Sequence, residues 1–199
     1  MKKLLAVILS GLLLVGCSDT ASGHDELNRP EEDKITITNS VTLNSQRVDM
    51  SEYKWIGDRV ADFEKISIAD SVRLFAENGS GVLYYGYPGC QWCERAIPEL
   101  NKVMNELDLP VYYIDASIMP DQETYNNLLS YVKDDLRKDE NGEPEFNVPY
   151  VVGVKKGKLV ASHTSLIKGY SIQEKDQMSD AQKEELQEDY REIFRAVAD

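Results

Sequence analysis

Basic residues are scarce in this chain. Lys and Arg number 22 against 35 Asp and Glu, a formal net charge of −13. So acidic a chain lacks the positive surface that grips nucleic-acid phosphates, and no nucleic-acid partner is expected. It offers no basic patch to anionic lipid headgroups either. Histidine is nearly missing, with only His24 and His163, and there are three cysteines. A closed zinc site wants four nitrogen or sulfur ligands, so no metal is expected. The apolar run from Leu4 to Val15 is broken by Ser10 and Gly11 and is too short for a comfortable membrane span.

What is there begins with the leader. Lys2 and Lys3 precede that apolar run, which has the length of a signal-peptide core and ends in Leu14-Val15-Gly16-Cys17. The order of charge, apolar run, small residue and cysteine resembles the bacterial lipobox, whose cysteine is acylated and becomes the new N-terminus. An ordinary secretory peptide that happens to hold a cysteine is the plain alternative. The lipobox reading makes 1–16 a lipoprotein signal peptide and Cys17 a lipid anchor on the outer side of a bacterial cell membrane. Loss of Lys2 and Lys3 takes the net charge to −15, so membrane attachment comes from the lipid. One acyl chain holds weakly and two are needed for a stable anchor. It also closes the cysteine count, because an odd cysteine in an exported protein needs an explanation and only Cys90 and Cys93 then remain.

Residues 17–33 are polar and read as a flexible tether. Residues 34–61 form an N-terminal extension in which Ile35-Thr36-Ile37-Thr38 and Val41-Thr42-Leu43 alternate around Asn39-Ser40. That alternation suggests a small hairpin or an added edge strand. The periodic region is 62–199. A strand is expected at Phe63 to Ser67. A helix from Ile68 follows and ends at Asn78-Gly79. A β-rich run, Val82 to Tyr85, then leads to a long helix after Cys90 with Ala96, Ile97, Leu100, Val103, Met104 and Leu107 on one face. Pro98 should kink it. Val111 to Ile114 is a strand. Tyr125, Leu128, Leu129, Val132 and Leu136 mark the next helix, and a charged loop runs from Lys138 to Asn147. Tyr150 to Val154 and Leu159 to Ser162 flank a glycine turn as an antiparallel hairpin. Ser179 with Gln182 has the form of a capping box before a last helix. The order β-α-β-α-β-α-β-β-α predicts an α/β fold. Its central sheet is expected to be mainly parallel, with one antiparallel edge hairpin and helices on both faces.

Chemistry concentrates in Cys90-Gln91-Trp92-Cys93, directly after a strand and at a helix start. The thiolate is the nucleophile, and the unpaired N–H groups and positive dipole end of a helix lower a thiol pKa. Two intervening residues let the second sulfur reach the first. Cys90 would attack a substrate disulfide and Cys93 would resolve the mixed disulfide. Half of a zinc site is the rival reading, but it lacks partner ligands. A static disulfide is another, but so short a loop is a poor staple.

These residues resemble the thioredoxin-like superfamily over most of Phe63 to Val197. Pro98 stands five residues after Cys93, and Asn147-Val148-Pro149-Tyr150 looks like the family's cis-proline loop. The resemblance implies a thioredoxin-like fold with a redox-active Cys90–Cys93 disulfide and no other cofactor. It further implies a Pro149 that shapes the site and a Val148 whose backbone meets an extended substrate. The stretch from Lys65 through Tyr84-Tyr85-Gly86-Tyr87-Pro88-Gly89-Cys90 is similar to a narrower group, the bacteriocin transport accessory proteins. The activity implied is thiol–disulfide exchange on exported cysteine-containing proteins or peptides, with a membrane redox partner. The rival is a non-catalytic module accessory to a peptide exporter. Departures from thioredoxin stand at Gly89, at the Gln-Trp dipeptide, and at Tyr84, which occupies the place of the family's buried carboxylate. Glu94 either substitutes for that acid or is a solvated first-turn residue. Trp92 reads equally as a partner-docking or a packed aromatic and is carried as a substrate contact. The five tyrosines from Tyr84 to Tyr113 read as strand core, Asp115 as a turn cap, and His163 as a bystander.

Overall fold

The computed structural model describes residues 35–173 and 176–199. Cys17, the leader, the tether and His24 lie outside the described residues. The chain forms strands β1 (Gln46–Arg47) and β2 (Phe63–Lys65), helix α1 (Ile68–Ala76), strand β3 (Gly81–Gly86) and helix α2 (Gln91–Leu107). Strand β4 (Val111–Asp115), helix α3 (Gln122–Val132) and a small hairpin, β5 (Arg137–Lys138) with β6 (Pro144–Glu145), follow. Strands β7 (Tyr150–Lys155) and β8 (Lys158–Thr164) and helix α4 (Asp180–Val197) complete it.

Six strands make one sheet in the order β1-β2-β4-β3-β7-β8. Alternation of period two divides its side chains between two cores. Val82 and Tyr84 of β3 and Val111 and Tyr113 of β4 face α2 and α4, with Ile97, Leu100, Tyr190 and Phe194. Leu83, Tyr85 and Ile114 face α1 and α3, with Leu74, Phe75, Leu128 and Val132. Every residue of β3 is buried, as expected of a central strand covered on both sides, which is why its sequence is nearly unbroken apolar.

The expectation of a mainly parallel sheet is corrected. Only β2 with β4 and β4 with β3 are parallel; β1 with β2, β3 with β7 and β7 with β8 are antiparallel. The α/β alternation implies parallel strands only where each helix returns the chain to the same end of the sheet. After α3, the segment 133–149 carries the chain on, and β7 starts with Tyr150 opposite Tyr85 at the carboxyl end of β3. The edge hairpin is present, and its two-residue turn has positive φ at Lys156 (49°) and Gly157 (73°), the geometry that suits twisted strands.

Local signals explain the helix ends. Helix α1 closes with Asn78 at φ 59°, Asn78 N–H donating to Phe75 O and Gly79 N–H to Leu74 O at 2.8 Å, a Schellman pattern. The Ser179–Gln182 capping box starts α4. Helix α2 runs unbroken through Pro98, whose missing N–H leaves the Glu94 carbonyl without its helical donor.

The hairpin suggested for 35–43 does not form. The Asn39 side chain accepts from Val41 N–H at 3.1 Å and donates to Val41 O at 3.0 Å, which takes up the backbone groups a ladder needs. An edge strand comes a few residues later, as β1. The extension is not a separate layer: Met50, Tyr53 and Ile56 are buried in the core that holds Phe63 and α2. Asn101 of α2 fixes it, donating to the carbonyls of Ile56 and Arg59 and accepting from Ala61 N–H at 2.8 Å. At its start, Thr36 and Thr38 bond the Asp199 carboxylate.

Candidate functional site: a dithiol at a helix start

Strand β3 ends at Gly86, and Tyr87-Pro88-Gly89 turns the chain into α2. Gly89 has φ 84°, a left-handed conformation that side chains resist. That accounts for glycine rather than a bulkier residue before Cys90. Cys90 is the N-cap of α2, and its sulfur accepts from Cys93 N–H at 3.3 Å. Both cysteines are free thiols; Cys90 is half-buried and Cys93 is buried.

The two sulfurs are unequal. A hydrogen bond from the Cys93 side chain is the largest influence on Cys90 and brings its pKa down from 9.0 to about 6; the N–H groups of Cys93 and Trp92 add to this. Burial and the Glu94 carboxylate act against it. The same hydrogen bond, burial and the negative Cys90 sulfur push Cys93 well up, while the Tyr84 hydroxyl pulls it down. Near neutral pH the pair is therefore an accessible thiolate backed by a sheltered thiol.

Glu94 is not a solvated first-turn acid. It is 8% exposed, and its carboxylate accepts from Gly89 N–H at 2.9 Å and from Lys54 N–H at 2.7 Å. One acid thus holds both the turn before Cys90 and the extension that passes beside it. Arg95, also buried, donates to Gln91 O, Asp176 O and Tyr170 Oη and stands 5.0 Å from the Trp55 ring centroid. Trp55, Arg95, Gln91 and Ile172 border a cleft of about 480 Å³ next to Gly89. Tyr53, Trp55, Arg95 and Tyr190 were missed at the sequence level. The usable signal was two aromatics in an otherwise polar stretch at 51–55.

The Val148–Pro149 bond is cis. Pro149 is buried, and its carbonyl accepts from Ser165 N–H at 2.8 Å. Since Tyr150 pairs with Tyr85, Pro149 enters the sheet level with Gly86, at the end from which the cysteine loop springs. Val148 and Trp92 are half-buried and pack against the same core as Cys93.

Asp115 caps a turn, accepting from Ser117 N–H and Oγ–H at 3.1 and 2.6 Å, and pairs with Lys65 at 3.5 Å. His163 bonds Asp189 at 3.1 Å and meets Tyr190 edge-on; burial lowers its pKa. A second cleft of about 530 Å³ opens beyond the carboxyl ends of β2 and β4, beside Lys65, Asp115 and the exposed Ile118. Neither cysteine lines it.

No family model matches this sequence, and no curated protein matches it.

Proposed function

We propose that this protein is an extracytoplasmic thiol–disulfide oxidoreductase of thioredoxin-like fold, held to the membrane by a lipid on Cys17. The observation that carries the reading is the asymmetry of the dithiol, a half-exposed Cys90 with a pKa near 6 backed by a buried Cys93. Cys90 thiolate attacks one sulfur of a substrate disulfide, a mixed disulfide forms, and the other substrate sulfur leaves as thiolate. Cys93 then attacks Cys90; the Cys90–substrate bond breaks, and the departing sulfur takes the proton that Cys93 gives up. The substrate gains two electrons and the protein ends as the Cys90–Cys93 disulfide. The reverse sequence oxidises a substrate. Val148 and Pro149, at the same end of the sheet, border the place an extended substrate would take, and Trp92 lies beside it. No metal or organic cofactor enters these steps. Cysteine-containing exported proteins or peptides are the substrates, and a membrane redox partner resets the pair. The resemblance to bacteriocin transport accessory proteins suggests exported peptides first.

In the test, the full-length protein catalyses exchange with a model disulfide, Cys93→Ser accumulates mixed disulfides, and Cys90→Ser accumulates none. Absence of exchange, with Cys90 alkylated no faster than an ordinary thiol at pH 7, would overturn the reading. Metabolic labelling with a fatty acid, lost in Cys17→Ala, checks the anchor.

A further inference from the structure

Tyr84 is fully buried in β3 and its hydroxyl makes no hydrogen bond of good geometry, although it acts on the Cys93 sulfur. An unpaired buried hydroxyl is costly, and each such group asks for a reason. The ring owes its position to Gly86, two residues on and on the same side of the strand. A Cβ at Gly86 would meet the Tyr84 hydroxyl at 2.6 Å and the ring at 2.7 Å. With no side chain there, the tyrosine lies along β3 toward its carboxyl end, where the cysteine loop begins.

The groups that face it come from four directions. Cys93 comes from the first turn of α2, Tyr53 from the extension, Tyr113 from β4 and Tyr190 from α4. Tyr113 stacks on Tyr84 with ring centroids 5.8 Å apart. The Tyr53 hydroxyl lies 3.2 Å from that of Tyr113 and is also within reach of that of Tyr84. The acids of α2 that lie closest are engaged elsewhere: Glu94 with Gly89 and Lys54, and Glu99 with Lys102 at 2.8 Å and Gln187 at 2.5 Å. From other elements Asp115 and Glu52 act on Tyr113 and Asp189 acts on Tyr190; Asp115 is held by Ser117 and Lys65, and Asp189 by His163. Cys93 thus sits over a layer of phenols.

We infer that Tyr84 is the positioning residue of the resolving step, its hydroxyl donating a hydrogen bond to the Cys93 sulfur while that sulfur is a thiolate. The chemistry rests on the function proposed above. Burial pushes the Tyr84 pKa well above 10, so the phenol is a donor and never the base. When Cys93 attacks, the Cys93–Cys90 bond forms and the Cys90–substrate bond breaks. The proton released by Cys93 goes to the departing substrate sulfur, and Tyr84 keeps its own throughout. A neutral donor here stabilises the thiolate without a carboxyl titration of its own.

The test compares full-length Cys90→Ser with the same protein carrying Tyr84→Phe. The Cys93 titration is followed residue by residue by 13Cβ NMR. Loss of a hydrogen bond to a charged group is expected to raise the Cys93 pKa by about one unit. In the protein that keeps both cysteines, Tyr84→Phe is expected to slow resolution of a Cys90–glutathione mixed disulfide about threefold, the tenfold loss of thiolate being partly offset by its greater nucleophilicity. The pH at which Cys90 alkylation inflects stays put. The control is Tyr190→Phe, which removes the other unpartnered hydroxyl facing Cys93 and is expected to shift Cys93 less. An unchanged Cys93 titration in Tyr84→Phe, or a larger shift in Tyr190→Phe, overturns the inference. The titration needs no turnover, so a shift found in a protein that exchanges no disulfide would sink the proposed function and leave the hydrogen bond standing.

Discussion

Tyr84 and Tyr85 are neighbours in the chain and enter opposite faces of the sheet. On the α1/α3 face the tyrosines are satisfied: Tyr85 donates to Ser71 Oγ at 3.0 Å, Tyr150 donates to Asp135 at 2.6 Å, and Tyr112 accepts from Asn39 at 3.0 Å. On the α2/α4 face, the Tyr84 and Tyr190 hydroxyls make no hydrogen bond of good geometry, the Tyr53 and Tyr113 hydroxyls meet at 3.2 Å, and Tyr170 accepts from Arg95 at 2.8 Å. Tyr84, Tyr85, Tyr150 and Tyr190 are equally buried, so burial alone does not decide how polar groups are treated. One face is finished as a core; the other leaves two hydroxyls open beneath Cys93. A sequence reading of both tyrosines as strand core is right about burial and silent on this difference.

The largest lesion expected to separate the faces is Glu94→Ala. It strips two part-buried backbone N–H groups, those of Gly89 and Lys54, of their acceptor and should cost about 1–3 kcal/mol in urea unfolding. It should also disturb Cys90 alkylation. Tyr150→Phe, on the other face, should cost about 1–2 kcal/mol and leave alkylation unchanged; a change there would merge the two faces into one functional unit. Next in size is the paired comparison at the centre. Tyr85→Phe removes a satisfied hydroxyl and should cost about 1 kcal/mol. Tyr84→Phe removes an unsatisfied one and should leave the urea midpoint unchanged or raise it. Equal losses would erase the distinction.

The smallest effect is a pH slope. The folded Cys90 pKa, about 6, lies below the value of roughly 8.5 for a free cysteine. Between these the unfolded chain holds the extra proton, so the reduced protein gains stability as pH rises. The gain is complete above about pH 8.5 and disappears as pH falls through about 6. The difference in urea midpoint between reduced wild type and Cys90→Ser should grow across that window. A flat difference would show that the thiolate contributes nothing to the folded state.

Periodicity made the helices, the edge hairpin and the position of the dithiol legible, because these depend on residues close in sequence. The direction of β7 was not, since it depends on the path of 133–149 across the fold. The role of 50–56 was hidden for a related reason. Tyr53 N–H donates to Met50 O and Ile56 N–H to Tyr53 O, so the segment advances by turns and buries every third residue, a spacing that neither helix nor strand templates match. Glu94 defeated prediction because a first-turn acid is normally solvated; here the extension folds back over it. Gly86 has no period-two signal of its own, yet its missing side chain is what lets Tyr84 lie where it does.

The bonds from Thr36 and Thr38 to Asp199 have a mechanical meaning. If Cys17 carries the lipid proposed above, a pull from the membrane reaches the described body at Ile35. Tension arriving there meets the Asp199 carboxylate and the Thr36 carbonyl, which accepts from Asp199 N–H at 3.0 Å, and passes into α4 as load. The strap at 50–56, which brings Trp55 beside Gly89, lies beyond that fastening along the chain, so a pull on a lipid anchor would meet the Asp199 bonds before it met the strap.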